Sequence, residues 1–105
     1  MPLPNGGIPL SSFADLTCSS QSIQTQADKE LYLYPGCLPQ FVELYAPSQD
    51  LRHPLISPVF GDYTGIPPLL IQAGDYEVLR DDSTRVAEKA QIGRASCRER
   101  VYVLV

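Results

Sequence analysis

Apolar residues along this chain come in short runs broken by proline, glycine and polar residues, so every element they predict is brief. Ile8, Leu10 and Phe13 line a first strand that ends near Ser11. Residues 17–26, TCSSQSIQTQ, are polar without a sustained period and read as a loop. Asp28 is placed to cap a helical turn through Lys29, Glu30 and Leu31, which Pro35-Gly36 stops. A helix follows over 38–45, where Leu38 pairs with Val42 and Phe41 with Tyr45 at i,i+4 spacing, and Pro47 ends it. Residues 48–68, punctuated by Pro54, Pro58, Gly61, Gly65 and Pro67, form a long irregular connection. Such a stretch is uncommon in a compact domain and is expected to serve function or to pack on a larger body.

The clearest element comes next. Residues 68–74, PLLIQAG, are almost continuously apolar and closed by glycine, the pattern of a strand buried on both faces of a parallel sheet. Asp81-Asp82-Ser83-Thr84 then opens a helix with an acidic first turn. Val86 and Ala90 share one face, while Asp81 and Arg85 are spaced to pair on another. Strand, acidic loop and helix together make half of a βαβ unit and place the chain in the α/β class.

Length changes this picture little: 105 residues hold one small domain and leave no room for two. Ten prolines and seven glycines suit a loop-rich piece of a larger fold better than a self-made core. A net charge of −4 gives no electrostatic support for a nucleic-acid or anionic-membrane partner. No apolar run approaches a membrane span, and the first residues, MPLPNGGIPLSS, lack the basic start and apolar core of a secretory signal. Cys18, Cys37 and Cys97 are widely spaced and form no CxxC pair, so reduced thiols, a cytoplasmic setting and no metal site are expected.

Three stretches, FADLTCSSQS at 13–22, HPLISPVFGDYTGIPPLLIQAGDYEVLRDDS at 53–83 and STRVAEKA at 83–90, resemble in this order the second half of α/β-hydrolases of the hormone-sensitive-lipase type. The resemblance implies a partial α/β-hydrolase fold: late parallel strands, part of the cap, the acid loop and the helix after it. It also implies hydrolysis of small acyl esters by a Ser–acid–His triad in that chain order, without cofactor.

The triad acid belongs just past the carboxyl end of a sheet strand, where Asp75 and Glu77 both stand. The family carries Asp-Pro-Leu there, followed by two acidic residues, and Glu77-Val78-Leu79 before Asp81-Asp82 aligns with it. The resemblance therefore implies Glu77 as the acid, with Asp75 the second choice. Carboxylates after strands more often bond a loop amide or face water. Asp81 and Asp82, at a helix start, are expected to cap rather than bind metal.

No GxSxG occurs, so the nucleophile and oxyanion hole are absent, and the one histidine, His53, precedes the acid where the family histidine follows it. His53 is expected at the surface or in loop packing, and Ser11, Ser12, Ser57 and Ser83 have no activating base in sequence. Residues 92–101, IGRASCRERV, resemble a translated sequencing adapter, and three arginines against one acid set this run apart in an acidic chain. The expected organisation is an incomplete hydrolase domain over 1–91 and a spurious tail over 92–105. The chain alone is expected to be inactive. The alternative is a non-catalytic hydrolase half that binds a ligand or partner, with Tyr32, Tyr34, Phe41 and Tyr45 as candidate lining.

Overall fold

The computed structural model describes residues 2–34, 36–93 and 101–104. In chain order it holds α1 (Ser22–Thr25), α2 (Cys37–Tyr45), a short 3-10 turn (Pro58–Phe60), β1 (Leu69–Gln72), α3 (Arg80–Gly93) and β2 (Val101–Leu104). β1 and β2 pair in parallel, Leu69 opposite Val101 and Gln72 opposite Leu104, with α3 as the crossover between them. Of the stretch set apart by composition, residues 94–100 lie outside the described residues, and Val101–Leu104 forms β2.

On its other side β1 is flanked by the chain start. Gly7 N–H donates to Pro68 O at 2.9 Å, Leu70 N–H to Gly7 O at 2.9 Å, Gln72 N–H to Pro9 O at 3.0 Å and Ser11 N–H to Gln72 O at 2.8 Å. The expected first strand is thus a parallel ladder along 7–11, recorded as two bridges, Gly7 to Leu69 and Leu10 to Gln72. Pro9, with no N–H, is confined to such an edge. Gly7 lies close against β1: a Cβ there would meet Leu69 Cδ2 at 2.9 Å, so that leucine side chain would have to shift.

The core is small. Ile71, fully buried, packs with Ala14, Val59, Val86 and Ala87, and Leu69, Phe60 and Tyr63 lean on this cluster. Val86 and Ala90 share the buried face of α3, as the spacing required. The expectation of a strand covered on both faces does not hold among the described residues, because Gln72 is exposed and Leu69 and Leu70 are only half-buried. In α2, Leu38 and Val42 are buried, whereas Phe41 and Tyr45 face outward.

Two local expectations are corrected. The helical turn expected from Asp28 is instead an irregular turn, and a short helix forms at Ser22–Thr25 inside the stretch read as loop. Glu30 is drawn away from helix formation by long-range bonds described below. The connection 48–68 is a chain of turns rather than a structureless loop. Its buried Ser57 accepts the Leu16 N–H at 2.9 Å and donates to Leu51 O, and Val59 N–H donates to Ala14 O at 3.1 Å.

Ile8 and Leu10 on the outer edge strand, and Leu3 ahead of it, are each more than 60% exposed, and Leu31 and Tyr32 about 90%. Uncovered apolar side chains on an unpaired strand edge favour association over a compact monomer. The isolated chain is expected to melt without a sharp transition and to aggregate, as read by thermal circular dichroism with light scattering. A sharp, reversible transition of a monomer would contradict this.

Candidate active site

The 7–11 segment and β1 run in the same direction, so both end at one edge of the sheet and their loops meet there. Gly74 to Glu77 forms a tight turn closed by the Glu77 N–H on Gly74 O at 3.3 Å. The Glu77 side chain folds back over that turn, and its Oε2 accepts the Gly74 N–H at 2.9 Å. Room for this exists because residue 74 has no side chain. A Cβ there would lie 3.0 Å from Glu77 Cγ and 3.2 Å from Cδ. From the neighbouring strand end, Ser11 Oγ–H reaches Glu77 Oε1 at 2.8 Å and Oε2 at 2.9 Å.

Asp75 sits differently. Its carboxylate is 60% exposed and pairs with the Arg80 guanidinium at 3.3 Å, an arrangement of a surface loop. The two sequence candidates thus part company: Glu77 is half-buried and fixed by a hydroxyl and an amide, while Asp75 faces solvent. Tyr76 between them is exposed, with Lys29 Nζ 5.0 Å above its ring.

The rest of the acid loop is clamped from the loop that follows the 7–11 segment. Ser22 Oγ donates to Val78 O at 2.6 Å and accepts the Asp81 N–H at 3.0 Å, while Asp81 Oδ2 accepts the Ser22 N–H at 3.0 Å. At the start of α3 the Asp81 N–H is therefore capped by a serine 59 residues away, not by the aspartates of α3 itself. Glu30 accepts the Val78 N–H at 3.1 Å and the Tyr32 N–H at 3.0 Å. Burial raises its pKa, but these amides prevail and lower it.

Asp82, expected to cap, is fully buried and accepts the N–H groups of Ala14 and Asp15 at 3.0 and 3.1 Å and the Ser20 hydroxyl. Arg85, expected to pair with Asp81, instead donates to Asp15 Oδ2 at 2.6 Å, and Asp81 pairs with Arg80 at 3.3 Å. Asp15 is also fully buried and takes the hydroxyls of Thr17 and Ser19. Burial pushes both carboxyls up. At Asp15 the hydroxyls of Ser19 and Thr17 and the Arg85 cation outweigh burial and hold it far below the usual range. At Asp82 burial wins over the Ser20 hydroxyl and two amides, and the nearby Asp15 charge adds to the rise.

Of the other sequence candidates, His53 is exposed, its Nδ1 accepting the Leu55 N–H at 3.1 Å. Behind the acid loop an apolar cavity of about 230 Å3 is lined by Cys18, Ile23, Leu33, Tyr34, Cys37 and Val78. A second, of about 350 Å3, lies between Phe13, Phe41, Tyr45 and Leu55. Tyr32 lines neither. Among the described residues no cluster of three or more His, Cys, Asp or Glu gathers as a metal site, and no helix is long and apolar enough to cross a membrane.

The chain matches known proteins over nearly its whole length. The alpha/beta hydrolase fold family matches residues 1–103, and the chain belongs to it. It is similar to an acetyl-hydrolase of Streptomyces hygroscopicus, 44% identical over 89 residues that make up 85% of this chain and 30% of that protein. An esterase of Acinetobacter venetianus is 33% identical over 95% of this chain and 33% of its own length. Among solved structures, a hormone-sensitive lipase from a metagenome library superposes with a TM-score of 0.86 at 39% identity, covering 99% of this chain and 33% of that one. An esterase/lipase from an uncultured bacterium gives 0.87 at 34% identity, covering 100% and 33%. The fold is therefore a partial α/β-hydrolase fold of the hormone-sensitive-lipase-like group, and the chain spans about a third of the length of the curated relatives it matches.

The opposite shifts of the two buried aspartates have opposite consequences. A depressed carboxyl stabilises the fold above its unfolded value of 3.8 and loses that contribution as pH falls through the folded pKa, which is the case of Asp15. A raised carboxyl, the case of Asp82, is a burden once ionised, so the penalty grows as pH rises from 3.8 through its folded pKa. The two are best compared in a chimera in which this chain's matched 89 residues replace their counterparts in the Streptomyces acetyl-hydrolase. At pH 7, Asp15→Asn is expected to cost roughly 1.5–3 kcal/mol, the range for hydrogen bonds to a charged group, and Asp82→Asn less. Urea unfolding at pH 7 and at pH 3 reads both, the Asp15→Asn cost shrinking only once the pH is below 3.8.

Proposed function

We propose that this segment supplies the acid of a Ser–acid–His triad in a hydrolase of small acyl esters, and that Glu77 is that acid. Residues 1–91 are then the body of the hydrolase segment. The observation that carries this reading is the Glu77 carboxylate, held at the carboxyl edge of the sheet by the Ser11 hydroxyl and the Gly74 amide. That edge is where the crevice of an open α/β sheet lies. In such a triad the carboxylate accepts the Nδ1–H of the histidine, fixes the tautomer that leaves Nε2 free as base, and stabilises the imidazolium formed when the serine attacks the acyl carbon. A carboxylate with both oxygens already engaged by hydrogen bonds changes position little when the imidazole becomes charged, which suits the task.

Asp75 is the weaker candidate because its partner is a solvent-facing arginine. No cofactor is needed for this chemistry. With no GxSxG in its sequence and His53 turned to solvent ahead of the acid, the chain by itself is proposed to be inactive. A cytoplasmic setting belongs to this reading, on the wide spacing of Cys18, Cys37 and Cys97 in the sequence.

In the Streptomyces chimera, Glu77→Gln is expected to lower kcat on a short p-nitrophenyl ester by about 10³–10⁴-fold, the loss that follows when a triad acid becomes an amide. Asp75→Asn is expected to stay within about threefold, as for an exposed ion pair. The opposite ranking overturns the assignment.

A further inference from the structure

We propose that Ser11 is a positioning residue for the triad acid: its hydroxyl sets the plane of the Glu77 carboxylate, so that a lone pair of one oxygen stays open to the imidazole. This rests on the reading of Glu77 as that acid.

Three independent features meet at Ser11. Its backbone sits at φ 46°, in the left-handed region that residues other than glycine, asparagine and aspartate seldom adopt. The conformation is held by its N–H on Gln72 O at 2.8 Å, the last rung of the 7–11 ladder. And its Oγ lies nearly equidistant from the two Glu77 oxygens, at 2.8 and 2.9 Å, across 66 residues of sequence. Strained non-glycine backbone persists where the surroundings over-determine it, and such positions gather at functional sites.

The geometry explains what the strain achieves. An extended residue at the strand end would continue along β1, whereas the left-handed turn at Ser11 lets its hydroxyl reach the loop after β1. One hydroxyl proton shared between two oxygens restrains rotation about the Cγ–Cδ bond of Glu77. Gly74 N–H, on Oε2 alone, breaks the symmetry and leaves Oε1 with the more open lone pairs. Among the described residues no other side chain donates to Glu77. Ser11 does not act as a nucleophile here, since its proton is directed at a carboxylate and no imidazole adjoins it among the described residues.

The test compares Ser11→Ala and Ser11→Gly in the Streptomyces chimera. Both remove the hydroxyl, but glycine also relieves the positive φ. A hydroxyl whose work is to orient the acid predicts the same loss in both, about tenfold to a hundredfold in kcat, as expected for one charge-assisted bond. KM is expected to stay within about twofold. Ser11→Gly is expected to melt no lower than Ser11→Ala, so that activity follows the hydroxyl and not the stability. With selective 15N-glycine labelling, the Gly74 amide proton, shifted downfield by the carboxylate, is expected to move upfield in both variants, a readout that works even if the chimera turns over too slowly to assay. Wild-type kcat in either variant, or an unmoved Gly74 resonance in both, overturns the proposal. If Glu77→Gln abolishes turnover while the Ser11 variants keep it, only the role of Ser11 falls. If Glu77→Gln leaves turnover intact, the triad assignment falls and this inference with it.

Discussion

Because the 7–11 segment runs parallel to β1, both chains leave the sheet at the same edge, and the loops over 11–22 and 73–82 are forced against one another. Loops in contact carry backbone donors and acceptors that water no longer reaches, and each must find a partner. Here the partners cross between the loops: Ser11 to Glu77, Ser22 to Val78 and Asp81, and Asp82 to Ala14 and Asp15. The apolar core beneath is slight, so this polar seam defines where the acid loop stands. Its cost is two buried carboxylates, of which only Asp15 has a cation beside it.

The elements legible in the sequence are those set by local pattern. The apolar run before Gly74, the helix after Leu79 and the Leu38–Val42 face of α2 were all readable from spacing. What the spacing did not show was set by distant partners. Glu30 looked like part of a helical turn because nothing nearby signals that its carboxylate is committed to the Val78 amide. Asp81, Asp82 and Arg85 looked like a helix start with an i,i+4 pair, yet each is claimed by the 14–22 loop. Ser57, read as one more loop hydroxyl, fastens the long connection to the Leu16 amide. A polar residue whose partner lies 41 to 70 positions away leaves no periodic trace.

The site was legible in part for the same reason. Two carboxylates after a strand were visible, and the family's triplet pointed to the second of them. Ser11 was noticed only as a serine without a base. The physical point is that its use lies in giving a proton to a carboxylate, and a sequence carries no mark of a residue in the left-handed region unless it is glycine. Gly74, which is not in the left-handed region, was visible only as the end of a strand. It also provides the space into which a side chain one methylene longer than aspartate folds back over its own turn.

The most direct measurement is a crystal structure of the complete enzyme built around this segment, at a resolution that places the catalytic imidazole. An imidazole nitrogen is expected within about 2.6–3.2 Å of Glu77, with Ser11 and Gly74 still on the same carboxylate. An imidazole bonded to Asp75 or to an acid elsewhere, with Glu77 holding only its loop, would contradict it.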